Sequence, residues 1–292
     1  MKILITGCKG QLGNEIQNII KCGQAEIDKI SKNIKSSKVI ALDVDLLDIT
    51  NLIQVKEKLN ELKPDVVINC AAVTNVDSCE NNRDFAFKVN SIGPRNLAIA
   101  CEKNNAKLVQ VSTDYVFSGG SDEPLTEYDL TVPYSVYGKT KLLGEQYVQQ
   151  FCSKFFIVRT AWLYGYKGHN FVYTMMRLGK EKGIIKVVDD QIGNPTHAND
   201  LAYHILKLIE TEEYGIYHCT GNGECTWHEF AKTIIELSGE NCEVKPCTSE
   251  EYKTPAKRPE YSSLDNMMLR STVGDEMRDW KEAIKTFVNN VK

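Results

Sequence analysis

The first 22 residues combine a strand pattern, a glycine-rich loop and a helix pattern. The apolar run KILIT at 2–6 is followed by glycines at positions 7, 10 and 13. The next apolar residues recur at helical spacing on one stripe: Leu12, Ile16, Ile19 and Ile20. Backbone N–H groups of such a loop can approach a pyrophosphate at the helix N-terminus. This segment predicts a dinucleotide site, with an ordinary tight turn as the alternative.

Strand and helix patterns alternate over residues 1–112. Further apolar runs typical of strands lie at 39–42, 66–69 and 107–111, with helical patterns between them. The Gly93-Pro94 pair predicts an interruption of the helix pattern around Asn90. Because crossovers between parallel strands are right-handed, the alternation predicts an α/β fold with a doubly wound parallel sheet of the Rossmann type.

After the strand pattern at 155–159, the alternation loosens. Helix patterns follow at 171–180, 198–210, 227–238 and 279–291, with strand patterns near 186–188, 214–219 and 243–247. We expect the segments 198–210 and 214–219 to return to the sheet. The predicted domains are a dinucleotide-binding domain, 1–165 plus about 197–221, and a smaller mixed α/β substrate-binding lobe, about 166–196 plus 222–292.

Composition narrows the class of partner and the compartment. A net charge of −4 argues against nucleic acid or an anionic membrane as the main partner. No apolar stretch reaches the ~18 residues of a membrane span, and the N-terminus shows no signal-peptide pattern. The ten cysteines include no Cys-x-x-Cys, and the five histidines show no ligand spacing. We therefore expect a cytoplasmic protein with reduced cysteines and no metal site.

Two charged residues give opposite indications about the cofactor. Asp43 ends the second strand, where a carboxylate accepts a hydrogen bond from the adenosine ribose and favours NADH. Lys9, in the glycine loop, is able instead to neutralise the 2′-phosphate of NADPH. Asp48-Ile49 begins the next loop and either caps the adenine or caps the following helix. The choice between NADPH and NADH stays open.

The third strand ends in a stretch of small residues, Cys70-Ala71-Ala72-Val73-Thr74. Its start is unbranched, as expected where backbone lies against a nicotinamide ribose. Asn90 either bonds a local carbonyl or water and serves a proton relay, or is a plain helix-end residue.

A candidate catalytic set follows the strand at 107–111. Ser112-Thr113 lie at its carboxyl end, and Tyr137 and Lys141 lie four residues apart at a helix start. That spacing places a phenol and an ammonium on one helix face. We expect the cation to lower the tyrosine pKa towards neutrality, where proton transfer is efficient. The Thr113 hydroxyl is expected to hold a substrate oxygen beside the phenol, and Arg258 to meet a phosphate.

The chain resembles the dTDP-4-dehydrorhamnose reductase family, an extended branch of the short-chain dehydrogenases/reductases. The resemblance rests on motifs in order along the chain: TGxxGQLG, Asp48-Ile49-Thr50, PDVVIN-x-AA, STDYVF at 112–117, YGKTK at 137–141, Arg159-Thr160-x-Trp162-x-Tyr164-Gly165, Asp190-Gln191-x-Gly193-x-Pro195-Thr196 and Arg258-Pro259-x-x-Ser262. It implies NADPH- or NADH-dependent reduction of the 4-keto group of dTDP-4-dehydro-β-L-rhamnose, by a monomer or homodimer.

The resemblance also assigns residue roles. The catalytic residues would be Thr113, Tyr137 and Lys141. The cofactor residues would be Gly7, Gly10, Gln11, Leu12, Gly13, Asp43, Asp48, Ile49, Ala71, Ala72, Val73, Thr74, Asn90, Tyr137 and Lys141. The substrate residues would be Thr113, Asp114, Trp162 and Arg258.

Two departures and two alternatives accompany the resemblance. Val73 stands where relatives often carry an aromatic residue or histidine. Glu15 matches one position through which some relatives bind magnesium, but Asn199 replaces another, so no metal is predicted. The alternatives are a reductase or epimerase acting on another nucleotide-linked 4-keto-6-deoxyhexose, and a non-catalytic NADP-binding regulatory subunit. Net consumption of the cofactor separates a reductase from an epimerase, and a regulatory subunit should lack the Thr, Tyr and Lys set.

Overall fold

The computed structural model describes residues 1–292. Its strands are β1 (Lys2–Thr6), β2 (Lys38–Leu42), β3 (Val66–Asn69), β4 (Lys107–Thr113), β5 (Phe155–Thr160), β6 (Leu163–Tyr164), β7 (Ile184–Val188), β8 (Ile192–Gly193), β9 (Thr196–His197), β10 (Gly215–His218), β11 (Cys225–Thr226) and β12 (Glu243–Cys247). Its α-helices are α1 (Gln11–Cys22), α2 (Lys32–Lys35), α3 (Leu52–Leu62), α4 (Val76–Asn81), α5 (Arg83–Phe87), α6 (Gly93–Lys103), α7 (Val136–Phe151), α8 (Phe171–Glu181), α9 (Ala198–Leu208), α10 (Trp227–Ser238), α11 (Met267–Thr272) and α12 (Trp280–Val291).

Six strands form one parallel sheet in the order β10-β5-β4-β3-β1-β2. The chain moves from β1 to one side to make β2 and then crosses to the other side to make β3. Open α/β sheets bind ligands outside the carboxyl ends of the strands at such a reversal. The fold therefore positions a site beside the ends of β1 and β3, and the predicted doubly wound sheet is confirmed.

Separate apolar layers cover the two faces of the sheet. One contains buried residues of α1 and α9, such as Ile16 and Leu201. The other contains buried residues of α3, α6 and α7, such as Val55, Leu97 and Val148. Because each helix buries one apolar stripe, the two layers enclose the sheet and hold its strand ends in fixed register.

The helix around Asn90 is continuous, so the predicted interruption at Gly93-Pro94 is wrong. A π-helical turn, Lys88–Ile92, joins α5 to α6, and the N–H of Gly93 donates to the carbonyl of Lys88. The wider turn accommodates Pro94, which has no N–H to donate. Asn90 consequently lies inside a long helix rather than at its end.

A third apolar core lies in the later part of the chain. It includes Tyr164, Phe230 and Phe287 and is formed mainly by β6, β7, α8, α10 and α12. We retain the predicted two-domain division as a proposal that these separate cores support. However, Leu269 and Met277 pack in the same layer as α1 and α9, although the sequence placed them in the second lobe. None of the helices is both long enough and apolar enough to span a bilayer.

Candidate active site

A cavity of about 550 Å³ opens at the carboxyl ends of β1, β3, β4 and β5. Twelve predicted site residues line it: Gly10, Gln11, Leu12, Gly13, Ala71, Ala72, Thr74, Thr113, Asp114, Tyr137, Lys141 and Trp162. The remaining predicted residues lie outside this lining: Gly7, Asp43, Asp48, Ile49, Val73, Asn90 and Arg258. The fold thus gathers the glycine loop and the predicted catalytic residues around one space.

The glycine loop is built for close backbone approach. Gly7 has a φ of +64°, and a Cβ there would lie 2.6 Å from the backbone nitrogen of Ala71. A Cβ on Gly13 would lie 2.5 Å from the carbonyl oxygen of Gly7. Gly10 caps α1 without any side-chain hydrogen bond. The first N–H groups of α1 are therefore free of a capping side chain, which fits the pyrophosphate of a nicotinamide dinucleotide.

Asn90 fixes the backbone of the 70–74 segment. Its side-chain oxygen accepts a hydrogen bond from the N–H of Val73 (2.8 Å), and its amide donates to the carbonyl of Val73 (3.0 Å). The same amide is 3.3 Å from the hydroxyl of Thr140. Asn90 therefore bonds a local carbonyl, one of the two outcomes that the sequence left open, and it holds Ala72 and Thr74 on the cavity wall through Val73.

Of the residues expected to bind the adenosine half of the cofactor, Asp43 lies beside the glycine loop. Asp43 accepts a hydrogen bond from the backbone N–H of Lys9 at 3.0 Å. Asp48 accepts from both the N–H and the hydroxyl of Thr50, and Asn51 rather than Asp48 caps α3. The helix-capping interpretation of Asp48 is therefore wrong. The side chain of Ile49 is buried and packs against Gly93, so it points into the core.

Thr113 and Asp114 form a hydrogen-bonded pair where β4 ends. The Thr113 hydroxyl donates to Asp114 Oδ1 at 2.8 Å and accepts from the N–H of Tyr115 at 3.2 Å. The other oxygen of Asp114, Oδ2, is buried without a hydrogen-bond partner. Burial raises the pKa of Asp114 to about 6, and the hydrogen bond from Thr113 opposes that rise. Asp114 is a lining residue of the cavity, and its free acceptor is the kind of atom that a ligand hydroxyl would satisfy.

The start of α7 is held tightly against the end of β4. Ser135 caps the helix by accepting from the N–H of Gly138 at 3.1 Å. A Cβ on Gly138 would lie 2.1 Å from the carbonyl oxygen of Tyr115. The ring of Tyr137 meets the ring of Tyr115 edge-on, with centroids 5.5 Å apart. These contacts fix the position of the Tyr137 phenol relative to Thr113.

The pKa expectation for Tyr137 is wrong in this structure. Burial raises the pKa of Tyr137 above its ordinary value, and a hydrogen bond with Thr113 only partly opposes this. Burial also lowers the pKa of Lys141 to about 8, while the Glu145 carboxylate opposes that shift. The Lys141 amine donates to the carbonyl of Val111 at 2.6 Å. Desolvation therefore dominates at Tyr137, which keeps its proton at neutral pH, as a proton donor requires.

A buried ion pair lies behind these residues. Arg159 Nη2 is 2.8 Å from Glu145 Oε2, and Ser112 donates its hydroxyl to the same carboxylate. Both charged side chains are almost fully buried. Such a pair fixes geometry because losing either partner would leave an uncompensated buried charge. It joins α7 to the ends of β4 and β5.

Two tryptophans form one wall of the cavity. The indoles of Trp162 and Trp227 are stacked, with centroids 3.6 Å apart and planes 9° apart. Trp162 has a φ of +45°, and a Cβ on Gly193 would lie 2.7 Å from its indole. Trp227 comes from α10, 65 positions further along the chain, so no local pattern could have predicted it.

The sequence also did not indicate three cavity residues that directly precede α8. Gly168, His169 and Asn170 line the cavity. Asn170 caps α8 and donates to Gln11 at 3.0 Å, which joins the start of α8 to the glycine loop. The cap itself was readable, since an asparagine precedes an apolar helix pattern. Its contact with Gln11 depends on the tertiary fold.

Arg258 lies near the cavity but is already paired. Its Nη2 is 3.0 Å from Asp77 Oδ2, and its Nη1 donates to Thr254. Burial raises the pKa of Tyr115, and Arg258 is among the charges that oppose this rise. A substrate phosphate would therefore have to compete with Asp77 for the guanidinium.

Glu15 and Asn199, the two positions compared with the magnesium-binding positions of some relatives, contact each other. Asn199 donates to Glu15 at 2.6 Å, which joins α1 to α9.

Glu26, His197 and Asp200 form a nearby cluster whose ligand atoms lie within 4.8 Å of one another. The Arg278 guanidinium lies among them, 2.8 Å from Glu26 and hydrogen-bonded to Asp200 and His197. A guanidinium therefore supplies the positive charge at this cluster.

Comparison with known proteins gives consistent results. The family model described as RmlD substrate binding domain matches residues 1–292. The crystal structure of a dTDP-4-dehydrorhamnose reductase from Clostridium acetobutylicum ATCC 824 is 52% identical, with a TM-score of 0.94 over 100% of this chain and 99% of that one. The Bacillus anthracis str. Ames enzyme of that name, in complex with NADP, is 43% identical, with a TM-score of 0.92 over 99% of each chain. The spore coat polysaccharide biosynthesis protein SpsK of Bacillus subtilis (strain 168) is 38% identical over 98% of this chain and 96% of its own length.

Proposed function

The chain belongs to the dTDP-4-dehydrorhamnose reductase family, and we propose that it reduces the 4-keto group of dTDP-4-dehydro-β-L-rhamnose to give dTDP-L-rhamnose. The observation that carries this proposal is one cavity lined by Thr113, Tyr137, Lys141 and the glycine loop. The cofactor is NADPH or NADH, and the loop geometry fits its pyrophosphate. When bound, the reduced nicotinamide supplies the hydride that the sugar C4 receives.

Tyr137 is the proposed proton donor to the carbonyl oxygen. Its buried phenol stays protonated at neutral pH because burial raises its pKa. Proton transfer to an oxygen that is gaining charge typically contributes ~10²–10⁴-fold in rate. Lys141, which now donates to the Val111 carbonyl, is proposed to bind the nicotinamide ribose.

Thr113 and Asp114 are proposed to hold the sugar. The Thr113 hydroxyl donates to Asp114 in the ligand-free arrangement, and it is a free rotor able to turn its proton towards the ketone oxygen. Asp114 Oδ2, buried without a partner, then accepts from a sugar hydroxyl. Trp162 is proposed to contact the sugar ring, with Trp227 behind it.

Arg258 is proposed to meet the substrate diphosphate by leaving Asp77. Asp43, Asp48 and the backbone of Ile49, whose side chain lies in the core, are proposed to serve the adenosine half of the cofactor. We expect a monomer or homodimer. We also expect a cytoplasmic location, because all ten cysteines are unpaired, as is usual in a reducing compartment.

A coupled assay tests the proposal. The purified chain is supplied with dTDP-4-keto-6-deoxyglucose and a 3,5-epimerase, and the absorbance of each reduced cofactor is followed. We expect cofactor loss that requires both the epimerase and this chain, with dTDP-L-rhamnose as the product. Isomerised sugar without net cofactor loss would indicate an epimerase, and binding without turnover would indicate a regulatory subunit. Either result would reject the proposal.

A further inference from the structure

Lys9, Asp43 and Asp45 lie beside the glycine loop and the end of β2, outside the lining of the cavity, and we call these three residues the adenosine end. Asp43 follows β2 directly. Its Oδ2 accepts from the backbone N–H of Lys9 at 3.0 Å, and its Oδ1 accepts from the N–H of Val44 at 2.9 Å. The carboxylate is thus fixed against the glycine loop, and each oxygen retains a lone pair for a ribose hydroxyl.

Lys9, the cation of the adenosine end, is held by Asp45. Its Nζ lies 2.9 Å from Asp45 Oδ1, and the side chains are 69% and 56% exposed. Two carboxylates and one ammonium give this end a net charge of −1. The charges that act on the neighbouring Cys8 thiol are those of the same three residues, Asp43, Lys9 and Asp45.

We propose that Asp43 and Asp45 make this chain prefer NADH to NADPH, Asp43 by binding the ribose hydroxyls and Asp45 by holding Lys9. This inference rests on the proposed function, which requires a reduced nicotinamide dinucleotide but leaves the choice open. NADPH carries a 2′-phosphate with a charge of about −1.5 to −2 at pH 7. That charge would lie beside a net negative cluster, whereas the 2′-hydroxyl of NADH would donate to Asp43.

Movement of Lys9 away from Asp45 does not remove the preference for NADH. An exposed ion pair is weak, so the ammonium is able to leave Asp45 and meet a 2′-phosphate. Both carboxylates would then remain beside the phosphate, and Asp45 would be unpaired. The NADP in the Bacillus anthracis protein shows that this fold accepts the phosphate, so the preference here depends on these side chains.

The test measures cofactor binding without any sugar. NADH and NADPH are titrated into the full chain, and the dissociation constants are read from quenching of tryptophan fluorescence at low and high salt. We expect NADH to bind at least about tenfold more tightly at low salt, since each like charge a few ångströms away in water costs about fivefold and the phosphate carries about 1.5 to 2 charges. High salt should bring the two dissociation constants closer together.

Asp45→Asn is the informative variant, because it keeps the side-chain shape and releases Lys9. We expect its dissociation constant for NADPH to fall at least about fivefold, while that for NADH changes less than about twofold. Glu61→Gln is the matched control: it also breaks an exposed ion pair, with Lys58 at 3.1 Å, but on α3 away from the adenosine end. Both dissociation constants should stay unchanged in this control.

The outcomes separate this inference from the proposed function. Equal or tighter binding of NADPH by the unmodified chain would overturn the inference, as would an unchanged binding ratio in Asp45→Asn. If NADPH were preferred while dTDP-L-rhamnose still formed, only the inference would fail. If neither cofactor bound, the proposed function would fail with it.

Discussion

Lys9 and Lys141 show how two regions of the molecule use the same side chain differently. Lys9, at the adenosine end, is exposed, and its hydrogen bond to Asp45 raises the pKa of its ammonium. Lys141 lies with Thr113 and Tyr137 on the lining of the cavity, and we call these three residues the reacting end. Lys141 is buried and donates to a backbone carbonyl, and burial lowers its pKa to about 8. Solvent exposure explains the contrast. Contacts at the adenosine end are easily exchanged, whereas those at the reacting end are fixed by packing.

The largest effect that this contrast predicts is at the reacting end. Tyr137→Phe removes the proposed proton donor and keeps the ring that packs on Tyr115. We expect kcat to fall by ~10²–10⁴-fold with little change in the dissociation constant for NADH, as measured by steady-state kinetics and fluorescence titration. A variant with near-normal kcat would show that Tyr137 is not the donor.

Gly138→Ala tests whether packing sets the position of Tyr137. The added Cβ would lie 2.1 Å from the Tyr115 carbonyl, so the start of α7 must move. We expect a loss of about 1–3 kcal/mol in the free energy of unfolding, measured by urea denaturation, together with a lower kcat. The control is Gly183→Ala, where an added Cβ meets nothing within 4 Å. Equal behaviour of the two variants would contradict the packing account.

A pH series on stability isolates the burial of Lys141. Its pKa is about 8 in the folded chain against an ordinary value of 10.5. Between these values the unfolded chain binds a proton that the folded chain does not, so this group makes the folded state more stable as pH rises. We expect the free energy of unfolding of the unmodified chain to rise over that window relative to that of Lys141→Met. Parallel curves would mean that Lys141 is not desolvated.

The smallest effect is expected at the adenosine end. Lys9→Met removes an exposed ion pair with Asp45, and such pairs contribute little to stability. The urea midpoint should not change measurably. A large shift in the midpoint would show that the adenosine end is as tightly packed as the reacting end, and the contrast would then fail.

The same contrast explains what the sequence could predict. The strand patterns at 2–6 and 66–69 match β1 and β3, because buried parallel strands are continuous apolar runs. The glycine loop and the Tyr137–Lys141 spacing were also readable, since each is a short-range pattern. The family resemblance, carried by motifs spread along the chain, is confirmed.

Properties that depend on distant neighbours could not be read in this way. The raised pKa of Tyr137 follows from burial, and the stack of Trp162 on Trp227 joins residues 65 positions apart in the sequence. The helix through Pro94 continues because a π turn accommodates a residue that usually ends helices. The pairing of Arg258 with Asp77 likewise crosses from one part of the chain to another.

One isotope measurement tests the central claim most directly. The coupled reaction is run with cofactor carrying deuterium at the transferable position of nicotinamide C4, and the sugar product is analysed by NMR. The proposed mechanism predicts one deuterium at C4 of dTDP-L-rhamnose for each cofactor oxidised. Deuterium at another carbon, or a product formed without deuterium, would contradict it.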